Sequence, residues 1–180
     1  MQMSQQTVIA GGCAGDAEHF SRLARPFYEP IFQFIARQVS SAADAADITQ
    51  LVFIRAFGSF PRFDQERPFG PWIYRIARRT LIDHFRRASL ETSPLDEAVC
   101  DPCRAPSDSM EDREQRTEVW AYARRLKPKF HEILLLHYHE DFSIREIAEI
   151  LGLSQTHVKV RLYRARVALR YSLEHPHLGA

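Results

Sequence analysis

SIREIAEILGLSQTHVKVRLYRARVALR, residues 143–170, predicts two helices separated by a tight turn. Ser143 can cap the first helix, and Glu146, three residues later, completes a capping box. Small Ala148 allows a second helix to cross closely, and Gly152 supplies the permissive backbone that a short turn needs. These features are typical of a helix-turn-helix.

The second helix of this motif, which Ser154 can cap, turns Val158 and Leu162 inward and leaves its other face free. Residues 159–170 include five Lys or Arg residues and no acid, which gives a local charge of +5. Such a face fits phosphates and guanine edges and indicates DNA as the partner. The alternative is an ordinary helix pair with a solvated basic face. On or beside the free face lie Gln155, His157, Lys159, Arg161, Arg164, Arg166 and Arg170.

Charge is segregated along this chain of 180 residues, although its formal net charge is only +1. Residues 88–112 carry seven acids and one Arg, a local charge of −6, and are rich in Ser and Pro. This composition predicts a flexible linker. No stretch reaches the roughly 20 apolar residues that span a bilayer, and the N-terminus lacks a signal-peptide pattern. Three unevenly placed cysteines agree with a reducing compartment, so we expect a cytoplasmic protein.

Helical periodicity dominates on both sides of this linker, and nothing indicates a strand. One stripe runs from Phe20 to Ile35. Two more stripes follow, one formed by Ala45, Ile48, Val52 and Ala56, the other by Ile73, Ile76, Ala77, Leu81 and Phe85. We therefore predict an all-α fold with two small helical domains, residues 1–87 and 113–180, joined by the acidic linker 88–112. In the second domain, Lys127-Pro128 predicts a break between two helices.

Aromatic residues are concentrated between Phe57 and Phe85, where seven of 29 residues are Phe, Trp or Tyr, interleaved with Arg. Exposed aromatics beside cations can stack unpaired bases and follow a single strand. Core packing is the other interpretation, and it is the one favoured for Phe57, Phe60 and Phe85. For Phe63, Phe69 and Trp72 both interpretations stay open. Arg75, Arg78, Arg79 and Arg86 lie on the side of the third helix that faces away from its apolar stripe.

Three segments together resemble the sigma-70 family, in its extracytoplasmic-function (ECF) group. They are DAADITQLVFIRAF (residues 44–57), FDQERPFGPWIYRIARR (63–79) and the helix-turn-helix that contains RLYRARVALR (161–170). The first two segments correspond to conserved region 2 of the family and the last to region 4. The resemblance implies a dissociable subunit of bacterial RNA polymerase, in which region 2 opens the −10 element of promoter DNA and region 4 reads the −35 element.

The resemblance implies that the first segment binds core polymerase, through the clamp helices of its large subunits. The spacing of Asp44, Asp47, Gln50 and Leu51 predicts an exposed polar ridge on a face away from the core stripe. A solvated helix face is the alternative. The family commonly has acids where Ala46 and Leu51 stand here, and an exposed Leu51 can supply apolar contact instead.

The second segment resembles the family's loop that captures a base flipped out of the −10 element. The candidate residues for contact with −10 DNA, including its single strand, are Phe63, Phe69, Trp72, Arg75, Arg78 and Arg79. Position 79 is usually Asn in the family. With Arg79 at this position, the identity of the captured base stays open.

The family alignment implies that the second helix of the helix-turn-helix contacts the −35 duplex. The candidate residues are Thr156, His157, Lys159, Val160, Arg161, Tyr163 and Arg164. His157 replaces a common Thr and Val160 a common Ser, which predicts an unusual sequence preference. Lys159 and Arg164 can reach guanine or phosphate, whereas Val160 suits a thymine methyl.

Two other classes of function compete with this interpretation. A free-standing helix-turn-helix regulator would bind duplex operators but would not need the aromatic, Arg-rich segment 63–79. An enzyme would need a phosphate loop, a metal cluster or a nucleophile with its base, and none is recognisable, so we expect no catalysis, no cofactor and no small-molecule substrate. Cys100 and Cys103, with His137 and His139, have the residue types of a zinc site, but free thiols are the favoured interpretation. The family also implies contact with the polymerase flap and an anti-sigma partner.

Overall fold

The computed structural model describes residues 14–91 and 119–175, with side chains for 17–88 and 119–175. All regular structure in these ranges is helical, which confirms the all-α prediction. The chain divides into two compact units between Cys103 and Arg104. This division falls inside the segment 88–112, while the predicted ranges 1–87, 88–112 and 113–180 themselves stay predictions. Residues 92–112 of the predicted linker lie outside the described residues, whereas residues 88–91 belong to the last helix of the first unit.

The described residues of the first unit form four α-helices: α1 (Ala14–Ala24), α2 (Tyr28–Ala36), α3 (Ala42–Ser59) and α4 (Phe69–Glu91). Pro26 and Pro61 each lie in a short 3₁₀ turn, Arg25–Phe27 and Phe60–Arg62, because proline fits the first turn of a helix but cannot continue one. The first apolar stripe is therefore shared between α1 and α2. Ser41 caps α3 by accepting a hydrogen bond from the backbone N–H of Asp44 at 3.3 Å.

The core of the first unit consists largely of the predicted stripes of α2, α3 and α4. Buried there are Ile31, Phe34, Ile35, Ala45, Ile48, Val52, Ala56, Ile73, Ala77 and Leu81. Phe85 is 44% exposed, so its prediction as a core residue is wrong. Ile73, Ala77, Leu81 and Phe85 repeat strictly every four residues, and each such step turns by about 40° on a helix of 3.6 residues per turn. Phe85 has therefore rotated out of the core.

The second unit is helical over 119–124 (α5), Pro128–Leu134 (α6), Ile144–Leu151 (α7) and Gln155–Glu174 (α8). The break before α6 is where the sequence predicts it, with Lys127 extended and Pro128 at the first helical position. After Leu134 the helix widens into a π-helical turn, Leu135–His139, which the sequence did not predict.

Both caps of the helix-turn-helix are confirmed. Ser143 Oγ accepts a hydrogen bond from the backbone N–H of Glu146, and the Glu146 carboxylate accepts one from the backbone N–H of Ser143 at 2.9 Å. Gly152 ends α7 with φ at +67°, in the left-handed region that glycine adopts without strain. Ser154 then caps α8 through the backbone N–H of His157. The buried side chains of this unit include Ile133, Leu134, Leu135, Leu136, Ile147, Ile150, Val158, Leu162 and Ala165.

Candidate protein and nucleic-acid interfaces

The outer face of α3 carries the predicted polar ridge. Asp47 and Gln50 are exposed, while Asp44 and Leu51 are half-buried. Ile54 continues the same face one turn beyond Gln50 and is 58% exposed, a large apolar side chain that the sequence analysis missed. Its i+4 spacing from Gln50 was the available signal. The face is therefore acidic and polar at one end and apolar at the other.

A hydrogen-bonded link behind this ridge ties α3 to α4. Arg55 donates hydrogen bonds to Thr80 Oγ1 at 3.1 Å and to Asp83 Oδ2 at 2.9 Å. The hydrogen bond from Arg55 is the main cause that lowers the pKa of Asp83 below its ordinary value of 3.8, and the charges of Arg55, Arg86 and Arg79 act in the same direction. The link borders a shallow groove of about 130 Å³, lined by Asp47, Ile48, Leu51, Arg55, Thr80, Asp83, His84 and Arg87.

The exposed face of α4 is a cationic stripe with one apolar member. Arg75, Arg79 and Arg86 are exposed, and Ile82, between them on the same face, is 46% exposed. Arg78 lies beside the stripe and is half-buried. The arginines are where their positions opposite the apolar stripe predict them, whereas the exposure of Ile82 was not predicted.

The three candidate aromatics of the loop are not equivalent. Phe69 is only 8% exposed, and its ring lies 5.2–6.3 Å from those of Phe20, Phe27, Phe63 and Trp72. Phe63 and Trp72 are half-buried, with ring centroids 4.7 Å apart. A ring enclosed on several sides cannot stack on a base without leaving the core. Phe69 therefore supports the loop, and the two outer rings remain candidates for base contact.

The loop that follows Phe63 is held by Asp64. Asp64 Oδ1 accepts a hydrogen bond from the backbone N–H of Glu66 at 3.1 Å, an arrangement that closes a tight turn. Asp64 Oδ2 also pairs with Arg67 Nε at 3.2 Å. Residues 64–68 are all exposed. The loop thus presents polar side chains beside the half-buried rings.

The candidate −35 contacts on α8, together termed its reading face, are mostly exposed, as the sequence predicts. Thr156, His157, Lys159, Val160, Tyr163 and Arg164 are exposed, and Arg161 is half-buried. Tyr163 is 68% exposed, which is high for a large aromatic side chain. Because Val158, Leu162 and Ala165 face the core, the cations and Tyr163 are held outward on a rigid helix.

Of the four residues considered for zinc, His137 and His139 lie in the described part of the chain. Cys100 and Cys103 lie outside the described residues. His137 Nδ1 lies 3.2 Å from the backbone oxygen of Phe142, and His139 Nδ1 lies 3.0 Å from Glu140 Oε1. Within the described ranges no group of three or more potential ligands has the geometry of a metal site, and no helix is long and apolar enough to span a membrane.

Comparison with protein families places both units in one family. The family description Sigma-70 region 2 matches residues 23–91, and Sigma-70, region 4 matches residues 116–169. RNA polymerase sigma factor SigV of Bacillus subtilis is 31% identical over 147 residues, which cover 82% of this chain and 84% of that protein. The ECF RNA polymerase sigma factor SigW of the same organism is 29% identical over 170 residues, which cover 88% of this chain and 91% of SigW.

Two solved structures share the fold. CnrH, solved in complex with the cytosolic domain of CnrY, is 25% identical with a TM-score of 0.65, and the match covers 89% of this chain and 91% of CnrH. The sigma factor RpoE of Bartonella quintana, solved with the anti-sigma factor NepR, is 19% identical with a TM-score of 0.69 and covers 87% and 98% of the two chains. The chain belongs to the sigma-70 family, in the ECF group. It is a sigma factor, which binds core RNA polymerase and directs transcription initiation at promoters.

Proposed function

We propose that the exposed surfaces of the two units divide the work of promoter recognition. The outer face of α3 binds core polymerase, the aromatic loop with the stripe of α4 opens the −10 element, and α8 reads the −35 element. The observation that supports this division is that α3, α4 and α8 each carry exposed candidate side chains on a face whose opposite side is core, while Phe63 and Trp72 lie half-buried beside the loop. In this proposal the chain acts by binding alone, in the cytoplasm, without catalysis.

Polymerase docking is assigned to Asp47 and Gln50, flanked by the half-buried Asp44 and Leu51, and we add Ile54. An acidic end and an apolar end on one face suit a partner helix that presents a cation and an apolar side chain one turn apart. Ile54 also supplies the apolar contact that the half-buried Leu51 gives only in part.

Strand opening is assigned to Phe63 and Trp72 as stacking surfaces and to Arg75, Arg78 and Arg79 as backbone contacts. Half-buried rings are suitable because part of each ring is held by the core while the rest stays accessible to an unpaired base. Ile82 lies within the cationic stripe, where it contacts sugar or base edges. Phe69 positions Phe63 and Trp72 and does not itself touch DNA.

Reading of the −35 element is assigned to the exposed side chains of α8. Lys159 and Arg164 contact guanine or phosphate, Val160 and Tyr163 contact apolar base edges, and Thr156, His157 and Arg161 flank them. The flap of polymerase and an anti-sigma factor are further partners in this proposal. CnrH and the Bartonella quintana RpoE were each solved with another protein, NepR being named as an anti-sigma factor, which supports a partner of that kind here.

Co-elution with bacterial core polymerase tests the docking surface. Asp47→Arg reverses one charge on the ridge and should weaken the association, and Ile54→Glu should do the same by placing a carboxylate in the apolar part. Glu18→Arg, which reverses an exposed acid on α1, is the matched control and should bind normally. Normal binding by both ridge variants would remove this face from the docking surface.

Permanganate footprinting of the holoenzyme on a promoter selected by that holoenzyme tests strand opening. Phe63→Ala should reduce the reactivity of unpaired thymines while binding of α8 to duplex DNA is unchanged. Phe85→Ala is the control, because it removes an exposed ring of α4 that is not one of the candidate DNA contacts. Normal reactivity in Phe63→Ala would leave this ring with a purely structural role.

A further inference from the structure

A contact between the π-helical turn and α8 restrains one arginine beside the reading face. Arg166 Nε donates a hydrogen bond to Tyr138 Oη at 2.6 Å, and the Arg166 guanidinium carbon lies 5.5 Å from the centre of the Tyr138 ring. Both side chains are exposed. An arginine on a solvent-facing helix ordinarily samples many rotamers, so this contact holds one that would otherwise be mobile.

Tyr138 is itself positioned from behind. Its ring packs edge-on against His137 with centroids 4.8 Å apart, and His137 Nδ1 lies 3.2 Å from the backbone oxygen of Phe142. The Tyr138 side chain extends from the π-helical turn, a rare element that is frequent at functional sites. The turn, the histidine and the tyrosine therefore form a continuous support for Arg166.

The N–H donors of Arg166 that Tyr138 does not use indicate which kind of ligand this side chain can bind. Tyr138 takes the Nε donor, and within the described part of the chain no carboxylate lies within 4.0 Å of Arg166 to take the terminal nitrogens. These two nitrogens present a planar pair of donors, which matches two oxygens of one phosphate. Helical spacing places Arg166 on the flank that also carries Lys159, Tyr163 and Arg170.

We propose that Tyr138 and Arg166 form a preorganised phosphate site, in which Arg166 binds one backbone phosphate of the DNA duplex beside the bases that α8 reads. Tyr138 is a positioning residue, since it acts on DNA only through Arg166. The inference rests on the assignment of α8 to the −35 duplex. A phosphate contact fixes the register of the helix in the groove and carries no sequence information of its own.

The experiment measures affinity of the full chain for a −35 duplex, and for its single-base variants, at several salt concentrations. Arg166→Ala should lower affinity by roughly fivefold at about 0.15 M salt and reduce the slope of log affinity against log salt by about 0.9, the value for one phosphate contact. The loss should be equal for all base variants. Tyr138→Phe keeps the charge and the ring, so it should lower affinity by a smaller factor and leave the slope unchanged.

Arg164→Ala and Arg170→Ala are the matched controls, since both remove one exposed cation from the same helix. One outcome would overturn the phosphate site but not the DNA-binding role of α8: Arg164→Ala weakens binding, whereas Arg166→Ala changes neither the affinity nor the salt slope. A loss confined to one base position would also overturn it. If none of these variants alters affinity for DNA, the assignment of α8 itself fails.

The positioning role of Tyr138 has its own test. If Tyr138→Phe binds DNA with the same affinity as the unchanged chain, the hydroxyl does not position Arg166.

Discussion

The two units place their candidate residues differently with respect to the core. In the first unit, the rings of Phe63 in the loop and of Phe69 and Trp72 at the start of α4 belong to an aromatic cluster that also fills the interior. In the second unit, the reading face of α8 is separate from the core. Val158 and Leu162 on one face of this helix are buried, whereas Lys159 and Tyr163 on another face are exposed. The aromatic candidates of the first unit therefore also stabilise its fold, whereas the candidate side chains of α8 lie outside the core of the second unit.

This difference follows from the chemistry of the two tasks. Stacking an unpaired base requires a large apolar surface, and a small domain keeps such a surface folded only by packing part of it into the core. Reading a duplex requires cations and hydrogen-bond donors, which stay hydrated until DNA arrives and contribute little to folding. Substitutions should accordingly have coupled effects in the first unit and separable effects in the second.

The largest effect on stability is expected for Phe69→Ala. Truncating this buried ring removes contacts with four other aromatic rings and leaves a cavity, which should lower the free energy of unfolding of the first unit by about 3–5 kcal/mol. Urea unfolding followed by Trp72 fluorescence in a Trp120→Phe background measures it. Phe85→Ala, at an exposed ring, should change the midpoint little. Similar urea midpoints for Phe69→Ala and Phe85→Ala would show that the buried ring of Phe69 contributes no more to stability than an exposed ring.

A smaller effect is expected at the start of α7. Ser143→Ala removes the hydroxyl that accepts the Glu146 backbone N–H, and loss of such a cap should destabilise the second unit by about 1 kcal/mol. Urea unfolding followed by Trp120 fluorescence in a Trp72→Phe background measures this change. Ser172→Ala, at a half-buried serine inside α8, is the control that removes a hydroxyl but no cap. If Ser143→Ala lowers the free energy of unfolding no more than Ser172→Ala does, the capping box is dispensable for stability.

A weaker, pH-dependent contribution is expected from the link between α3 and α4. The hydrogen bond from Arg55 lowers the pKa of Asp83 in the folded state below the ordinary value of 3.8. The ionised Asp83 carboxylate therefore contributes its full stabilisation of the fold above pH 3.8 and loses it as the pH falls through the lower pKa of the folded state. Asp83→Asn should therefore destabilise the first unit at neutral pH and by less at about pH 3. Urea midpoints for both chains across this range test it, and a difference independent of pH would exclude the ionised carboxylate as the stabilising group.

The smallest effect on stability, with a large effect on binding, is expected for Arg164→Ala. This exposed side chain makes no core contact, so the free energy of unfolding should change by less than about 0.5 kcal/mol. Affinity for a −35 duplex should fall, by about 1–3 kcal/mol at one base position if Arg164 reads a guanine, or uniformly if it binds phosphate. Thermal unfolding and binding to single-base variants give both quantities. A marked loss of stability would contradict the separation of function from folding in this unit.

Local features of the helix-turn-helix were predictable from the sequence. Ser143, Glu146, Gly152 and Ser154 form the caps and the turn where the pattern places them, because each acts within four residues along the chain. The core stripe of α3 was predictable for the same reason, since helical periodicity alone fixes which side chains share a face. The resemblance to the sigma-70 family in both units, confirmed by comparison, was likewise available from the sequence.

Long-range contacts were decided only by the tertiary structure. Arg55 meets Asp83 and Tyr138 meets Arg166, each across 28 residues, and no local pattern relates such pairs. The burial of Phe69 belongs to the same class, because the rings that enclose it come from α1, the 3₁₀ turn Arg25–Phe27 and the loop after α3. A sequence specifies the chemistry of a side chain and its position on a helix. The packing of the helices decides which of the predicted surface rings is buried and which arginine gains a hydrogen-bond partner.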